Sequence, residues 1–215
     1  MAKYFDKLES STQKERIARQ DLNLSKMAQT GYKKSPALKK IFDSQKIKLS
    51  SIKCREDLER LPVTSREMLV EMEMQKPPYA GLENPYQKID RIFTSPGPVY
   101  EPHLSETDYL WARAFFAAGI GPKDIALNAF SYHLVAAGLT FHNGLRKVGA
   151  TVVPSGTSSS QIQVQLIKDL KITAYVGTPS FLMCIIDKAK ELGFNFKKDF
   201  RVKKACFAAE PLLPS

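Results

Sequence analysis

The chain has 215 residues, which is long enough to bury a substantial core in one large domain or two small ones. Its 43% hydrophobic and 25% charged residues are those of an ordinary globular protein, which excludes an intrinsically disordered chain. No apolar run approaches the ~18–20 residues that span a bilayer, and the first residues lack the apolar core of a signal peptide, so we expect no membrane partner.

The formal net charge of +10 comes mainly from lysines in two clusters, at residues 26–53 and 197–204. In the first cluster the lysines alternate with apolar residues, as on the solvated face of a helix. Nucleic-acid binders usually add arginines or aromatics that contact bases, so nucleic acid ranks last among the expected partners. A solvated surface explains the lysines best, and attraction of small anionic substrates comes second.

The cysteines indicate a reducing compartment. Three cysteines are an odd number, they lie far apart, and no Cys-x-x-Cys pair or histidine stands at metal-binding spacing. We therefore expect free thiols, no metal site and a cytoplasmic protein. Cys184 and Cys206 lie among apolar residues and are expected to be buried and unreactive.

Residues 1–85 are predicted to form a helical N-terminal segment. Helix caps, prolines and glycines delimit four helices, with Glu67 placed for a capping box in the last. Their predicted limits are Ser10 or Ser11 to Gly31, Pro36 to Phe42, 57–61, and a start after Thr64 or Ser65. The stretch 75–85 is rich in proline and glycine and is the best candidate for a linker.

Residues 86–215 are predicted to form an α/β subdomain. Short apolar strands alternate with segments of helical periodicity, which indicates a largely parallel sheet with flanking helices. The strands are expected at 124–128, 150–154, 172–176 and 203–208, and the helices at 104–118, 135–144, 161–170 and 179–192. Ser105 is the expected N-cap of the first of these helices. Ligands of such sheets gather in loops at the carboxyl ends of the strands.

The loop Phe93–Pro102 combines hydroxyl side chains and a glycine, as loops that bind phosphate through backbone N–H groups do. Its prolines remove donors, however, and no lysine follows to meet a phosphate. The loop therefore has two interpretations, a degenerate phosphate loop or an ordinary proline-stiffened surface loop.

Six segments occur in an order that resembles a known family: 94–102, 128–138, 142–144, 149–154, 178–180 and 208–211. They follow a Leu-Pro-x-Thr segment that ends in Arg66. Together they are similar to the N-terminal half of the phenylacetate–coenzyme A ligase family, within the adenylate-forming (AMP-binding) superfamily. The resemblance runs from about Lys14 to the last residue, and it implies the N-terminal part of an adenylate-forming enzyme fold.

The resemblance implies an AMP-forming acyl-CoA ligase. ATP and a carboxylic acid, with Mg²⁺, form an acyl-adenylate and pyrophosphate, and coenzyme A then displaces AMP. Phenylacetate-like acids are the leading substrate class. The sequence does not decide whether the protein forms a homodimer. The expected roles fall to three groups of residues: the ATP-phosphate loop (Thr94, Ser95, Gly97), the acid pocket (Phe130, Tyr132, Val135, Ala136) and the turn beside adenine and the acyl group (Ala209, Glu210, Pro211).

Some residues depart from the family pattern or have a second interpretation. Glu101 places a negative charge near a triphosphate, and Val135 stands where a larger aromatic residue is expected. Phe130 and Tyr132 also suit a core, and His142 also suits a structural hydrogen bond.

The family's acidic AMP-binding motif and catalytic lysine are expected beyond Ser215. No catalytic residue is therefore assigned within the chain, which we expect to be inactive alone and to be a truncated chain or an interrupted gene. The alternative is a ligase-like domain that has lost catalysis and serves as a binding or assembly module.

Overall fold

The computed structural model describes residues 3–85, 87–104 and 110–212. The chain divides into two compact units: a helical unit, Lys7–Leu104, and a sheet unit made of Met1–Asp6 with Ser105–Ser215. The domain boundary after residue 85 stays a prediction, and residues 87–104 group with the preceding helices in this division. No helix in the described ranges is both long and apolar enough to cross a bilayer.

Helix α1 (Gln13–Lys34) of the helical unit begins with a capping box. The Thr12 hydroxyl accepts from the Glu15 N–H at 3.3 Å, and the Glu15 carboxylate accepts from the Thr12 N–H at 2.8 Å. The predicted end at Gly31 is wrong, because the helix continues to Lys34. A Cβ at Gly31 would lie 2.9 Å from Leu38 Cδ1, so the glycine lets α1 pack against the next helix.

Helices α2 (Pro36–Ser44) and α3 (Arg66–Gln75) complete the long helices of this unit. Pro36 opens α2 as predicted, after the N-cap Ser35. Ser65 caps α3 by accepting from the Met68 N–H at 3.2 Å, so Glu67 is the second helical residue and the predicted capping box does not form. Short 3-10 turns lie at Lys7–Ser10, Leu49–Ser51 and Arg55–Arg60.

A two-stranded antiparallel hairpin closes the helical unit. Strand β1 (Arg91–Ser95) pairs with β2 (Val99–His103), with Ser95 opposite Val99, so that residues 96–98 form the turn. The predicted phosphate loop is therefore the tip and flanks of this hairpin. The expected N-cap Ser105 of the following helix lies outside the described residues.

The sheet unit contains four strands: β3 (Ile125–Asn128), β4 (Thr151–Val153), β5 (Ala174–Gly177) and β6 (Lys204–Phe207). They form one parallel sheet in the order β4–β3–β5–β6. The helices are α4 (Leu110–Ala117), α5 (Ala136–Lys147), α6 (Ser160–Asp169), α7 (Pro179–Glu191) and the short α8 (Phe196–Asp199). The predicted α/β fold, a parallel sheet with flanking helices, is confirmed.

Alternation along the strands builds a separate core on each face of the sheet. Ala126 and Val176 face a cluster with residues of α4 and α5, whereas Leu127 and Tyr175 face a cluster with residues of α6 and α7. Residues 3–6 join the first face: Asp6 pairs with Arg113 of α4 at 2.7 Å.

Two burial expectations are wrong. Cys184 is exposed and Cys206 is only half-buried. The pKa of the Cys206 thiol is nevertheless raised by burial, which agrees with the predicted low reactivity. Trp111, which has helical spacing with core residues, is 42% exposed.

Candidate functional site

The carboxyl edge of the sheet gathers the predicted acid-pocket and turn residues. Strand β3 ends at Asn128, β5 at Gly177 and β6 at Phe207, and these ends share one edge because the strands are parallel. The acid-pocket residues follow β3, and the turn residues follow β6. They are Phe130, Tyr132, Val135 and Ala136 in the first group, and Ala209, Glu210 and Pro211 in the second.

Asn128 organises the segment that follows β3. Its side chain is fully buried, and its amide nitrogen donates to the Tyr132 hydroxyl at 2.8 Å and to the Gly138 carbonyl at 2.9 Å. Its amide oxygen accepts from the Phe130 N–H at 3.3 Å. One side chain thus joins residues 130–132, in the segment of the predicted acid pocket (the pocket segment), to the start of α5. Sequence reasoning did not assign this role, although a lone asparagine ending an apolar strand is a signal for it.

Gly138 allows this segment to fold back on α5. A Cβ at this position would overlap the Ser131 carbonyl oxygen and lie 2.7 Å from the Ser131 carbonyl carbon. The Gly138 N–H donates to that same oxygen at 3.1 Å. Any side chain would therefore push the pocket segment away from the helix.

Tyr132 and His142 form a polar pair beside Asn128. The Tyr132 hydroxyl lies 3.2 Å from His142 Nδ1, and the two rings meet edge to face. Burial raises the pKa of Tyr132 to about 12, against the opposing hydrogen bond from Asn128. Burial, and then the charge of Arg146, lower the pKa of His142. Both groups are therefore neutral near pH 7. The structural hydrogen bond predicted for His142 is the one to the Tyr132 hydroxyl.

Phe130 joins an aromatic cluster on the first face of the sheet. The Phe130 ring meets the Phe141 ring edge to face, with 4.9 Å between the ring centroids. Trp111 also meets the Phe141 ring edge to face, with 4.5 Å between the centroids. Val135 is the N-cap of α5 and Ala136 its first residue, and both are half-buried. The predicted acid-pocket residues thus lie just before and at the start of α5, and Phe130 packs against the hydrophobic core, as its second interpretation predicts.

The turn after β6 is anchored to the start of α7. The Glu210 carboxylate accepts from the Ser180 N–H at 3.2 Å and from the Ser180 hydroxyl at 2.6 Å. These bonds lower the pKa of Glu210, the side-chain bond first. Thr178 caps the same helix by accepting from the Phe181 N–H at 3.2 Å. Glu210 is therefore a turn carboxylate whose oxygens both accept hydrogen bonds.

The predicted phosphate loop lies in the helical unit and is described within that unit alone. Thr94 and Ser95 end β1, and Gly97 lies at the hairpin turn. A Cβ at Gly97 would lie 3.0 Å from Val70 Cγ2, so the turn packs closely on α3. The Tyr100 N–H of β2 donates to the buried Glu73 carboxylate of α3 at 2.8 Å.

Arg66 of α3 reaches the tip of this hairpin. Its Nε donates to the Pro96 carbonyl at 3.0 Å, and its Nη2 donates to the same oxygen and to the Ser95 hydroxyl, the latter at 2.9 Å. Sequence reasoning used Arg66 only as part of a motif and missed this contact. Among the described residues, no group of three His, Cys, Asp or Glu side chains is placed to hold a metal ion.

Comparison with known proteins gives a consistent result. No protein-family model matches the chain. It is 29% identical over 213 residues to a phenylacetate–coenzyme A ligase of Aromatoleum evansii, covering 95% of this chain and 47% of that protein. It is 26% identical over 214 residues to a phenylacetate–coenzyme A ligase of Escherichia coli (strain K12), covering 96% and 48%.

Among solved structures, an open conformation of 2-hydroxyisobutyryl-CoA ligase in complex with 2-HIB-AMP and CoA superposes with a TM-score of 0.85. That match has 24% identity and covers 92% of this chain and 45% of the ligase, so it shows the fold. The chain spans about half the length of the curated relatives that it matches.

Proposed function

Because the predicted resemblance to the N-terminal half of the phenylacetate–coenzyme A ligases is confirmed, we propose that the chain is the N-terminal portion of an ATP-dependent aryl- or acyl-CoA ligase. The whole protein joins a carboxylic acid to AMP and then transfers the acyl group to coenzyme A. The observation that carries this proposal is similarity over 95% of the chain to ligases of one named activity.

The substrate class follows from the family resemblance, and the wall for the acid is assigned to the carboxyl edge of the sheet. Phe130, Tyr132, Val135 and Ala136 form the wall for the acid, with phenylacetate-like acids as the leading class. Phe130 is only half-buried and is held by the buried Phe141, with 4.9 Å between the ring centroids, so it is the aromatic member of this proposed wall. Ala209, Glu210 and Pro211 flank the adenine and the acyl group.

The phosphates of ATP are assigned to the hairpin of the helical unit. Thr94 and Ser95 offer hydroxyl donors, and Gly97 lets a ligand approach the backbone closely. Mg²⁺ offsets the charge of the triphosphate in this scheme, and its ligands are expected in the acidic AMP-binding motif outside this chain. The catalytic lysine is expected there as well, so the chain alone does not complete the reaction.

The remaining attributes are proposals of the same kind. The free cysteines support a reducing cytoplasm. Small-molecule partners are proposed, namely the acid, ATP and coenzyme A, rather than nucleic acid or a membrane, and a homodimer stays open.

Acid-dependent exchange of pyrophosphate into ATP tests the function. The assay compares the 215-residue chain with the longest protein that the reading frame encodes, over a panel of aromatic and aliphatic acids. We expect exchange with phenylacetate-like acids in the longer protein only. Exchange by the chain alone contradicts the assignment of catalysis to the other half, and no exchange with any acid contradicts the ligase function itself.

A second candidate, a ligase-like binding module without catalysis, is favoured by the state of the hairpin. Glu73 already holds the Tyr100 N–H at 2.8 Å, and Glu101 adds a negative charge on the same strand. Loop repair separates the two candidates in the longer protein. If Pro98→Thr with Tyr100→Gly switches on exchange that is otherwise absent, the hairpin is the defect and the module is a ligase that lost its phosphate loop.

A further inference from the structure

We propose that Arg66 supplies the positive charge of the phosphate-binding hairpin and contacts the triphosphate directly. The inference rests on the proposed function, because the anion is taken to be the triphosphate of ATP. It answers a specific deficit, since no lysine or arginine occurs between Thr94 and His103. Arg66 lies about thirty positions earlier in the sequence, and the packing of α3 on the hairpin brings it to the turn.

Hydrogen bonds hold the guanidinium beside the hairpin tip, where it can contact a phosphate bound at that tip. Two of its nitrogens are bound to the hairpin, Nε to the Pro96 carbonyl and Nη2 to that oxygen and to the Ser95 hydroxyl. Its Nη1 donates to no described residue, so two N–H donors remain for a ligand. The Arg66 side chain is exposed, so a ligand in solvent can reach these donors.

This arrangement matches how arginine recognises phosphate. A guanidinium with a fixed orientation directs its free N–H groups at a phosphate oxygen, here the two on Nη1, and charge-assisted bonds are roughly twice as strong as neutral ones. Anchoring by Pro96 removes much of the rotamer entropy that a free arginine would lose on binding. Ser95 can donate its hydroxyl to the same anion while it accepts from Arg66.

The local charges make this cation necessary for binding. A groove of about 660 Å³ runs along α3 beside the hairpin tip, and it is lined by Arg66, Val70, Met74, Gly97 and the acidic Glu67 and Glu71. Glu101 adds a third carboxylate on β2. Without Arg66, the charged side chains that line this groove would all be negative, and Coulomb repulsion would oppose the binding of a triphosphate there.

The alternative is that Arg66 only clamps the hairpin to α3. Two substitutions separate the roles. Arg66→Gln keeps an amide donor for the Pro96 carbonyl but removes the charge, whereas Arg66→Lys keeps the charge but loses the fork. Arg16→Met is the matched control, because Arg16 is an exposed arginine of α1 in the same unit whose side chain bonds to no described residue.

The experiment measures binding of inorganic triphosphate and of Mg·ATP to the 215-residue chain by isothermal calorimetry, with thermal unfolding recorded for each variant. We expect Arg66→Gln to weaken both ligands by roughly ten-fold or more. Arg66→Lys should lose less, and Arg16→Met should match the unsubstituted chain. Adenosine binding, where detectable, should be the same in all four proteins.

Each outcome decides the proposal. Equal triphosphate binding by the unsubstituted chain and Arg66→Gln overturns it, and so does failure of the unsubstituted chain to bind either ligand. Equal losses in Arg66→Gln and Arg66→Lys, with lowered melting temperatures in both, assign Arg66 a clamping role and also overturn it. The pyrophosphate exchange assay tests the ligase function separately, so Arg66-dependent triphosphate binding without any exchange would support this inference while contradicting that function.

Discussion

Glu210 accepts hydrogen bonds from both the backbone N–H and the hydroxyl of Ser180, although thirty positions separate the two residues. The contact joins the turn after β6 to the first turn of α7, which follows β5. A carboxylate at a helix N-terminus is stabilised by the helix dipole and by the free N–H groups there. Glu210 therefore acts as a negatively charged cap supplied by a different part of the chain.

We expect Glu210→Gln to destabilise the sheet unit near pH 7 and to have little effect in acid. The folded pKa of Glu210 lies below 4.5, so its contribution is present above that value and is lost as pH falls through the folded pKa. Urea unfolding followed by Trp111, the chain's single tryptophan, measures the difference between the two proteins. A difference that persists unchanged well below pH 4.5 would show that the charge is not its source.

Replacing Asn128 by alanine should cost about 2–4 kcal/mol, because it leaves the Gly138 carbonyl and the Tyr132 hydroxyl without a buried donor. Urea unfolding monitored by Trp111 fluorescence measures this loss. Asn23→Ala, at an exposed site on α1, is the control and should change stability by less than about 0.5 kcal/mol. Equal effects of the two substitutions would contradict the buried network.

Gly138→Ala should destabilise the sheet unit by about 1–3 kcal/mol or more, since the new methyl group meets the Ser131 carbonyl. Gly121→Ala is a suitable comparison because a Cβ there lies 3.9 Å from its nearest neighbour, which is ordinary contact. Circular dichroism melting of both variants checks the expectation. If Gly138→Ala and Gly121→Ala have the same melting temperature, the segment around Ser131 does not pack against α5 as described.

His142 should titrate below 6.5, because burial and the nearby Arg146 both disfavour its charged form. The unfolded chain then binds the proton more readily than the folded one, so this residue lowers stability as pH falls below 6.5. NMR titration of the histidine ring protons measures the pKa directly. Arg146→Gln should raise it, and an unchanged value in that variant would rule out the charge as a cause.

The sheet could be predicted from local pattern, whereas its contacts could not. Strands such as Ala174–Gly177 are short and apolar between turn residues, and this signal needs no knowledge of the fold. The limits of α1 were mistaken because glycine permits both a helix end and close helix packing, and only the neighbouring Leu38 distinguishes them. Trp111 of α4 has helical spacing with the buried Phe115 and is nevertheless 42% exposed, because helical spacing identifies a face of the helix but not how much of a large side chain is covered there.

For the candidate site, sequence order identified the segments but not their partners. The turn at Glu210 and the segment 178–180 were both recognised, yet their connection depends on β5 and β6 being neighbours. Arg66 was missed for a similar reason, because its hydrogen bonds cross about thirty residues and arise only when α3 packs on the hairpin.

The pairing of Asp6 with Arg113 has a consequence for the order of events during synthesis on the ribosome. Residues 3–6 belong with the sheet unit, and Asp6 cannot contact Arg113 of α4 until more than one hundred further residues have emerged from the ribosome. The helical unit between them is complete earlier and can fold while the start of the chain is still undocked. In pulse proteolysis of stalled nascent chains of increasing length, Lys7–Leu104 should therefore become resistant to the protease at a shorter chain length than the residues that precede it.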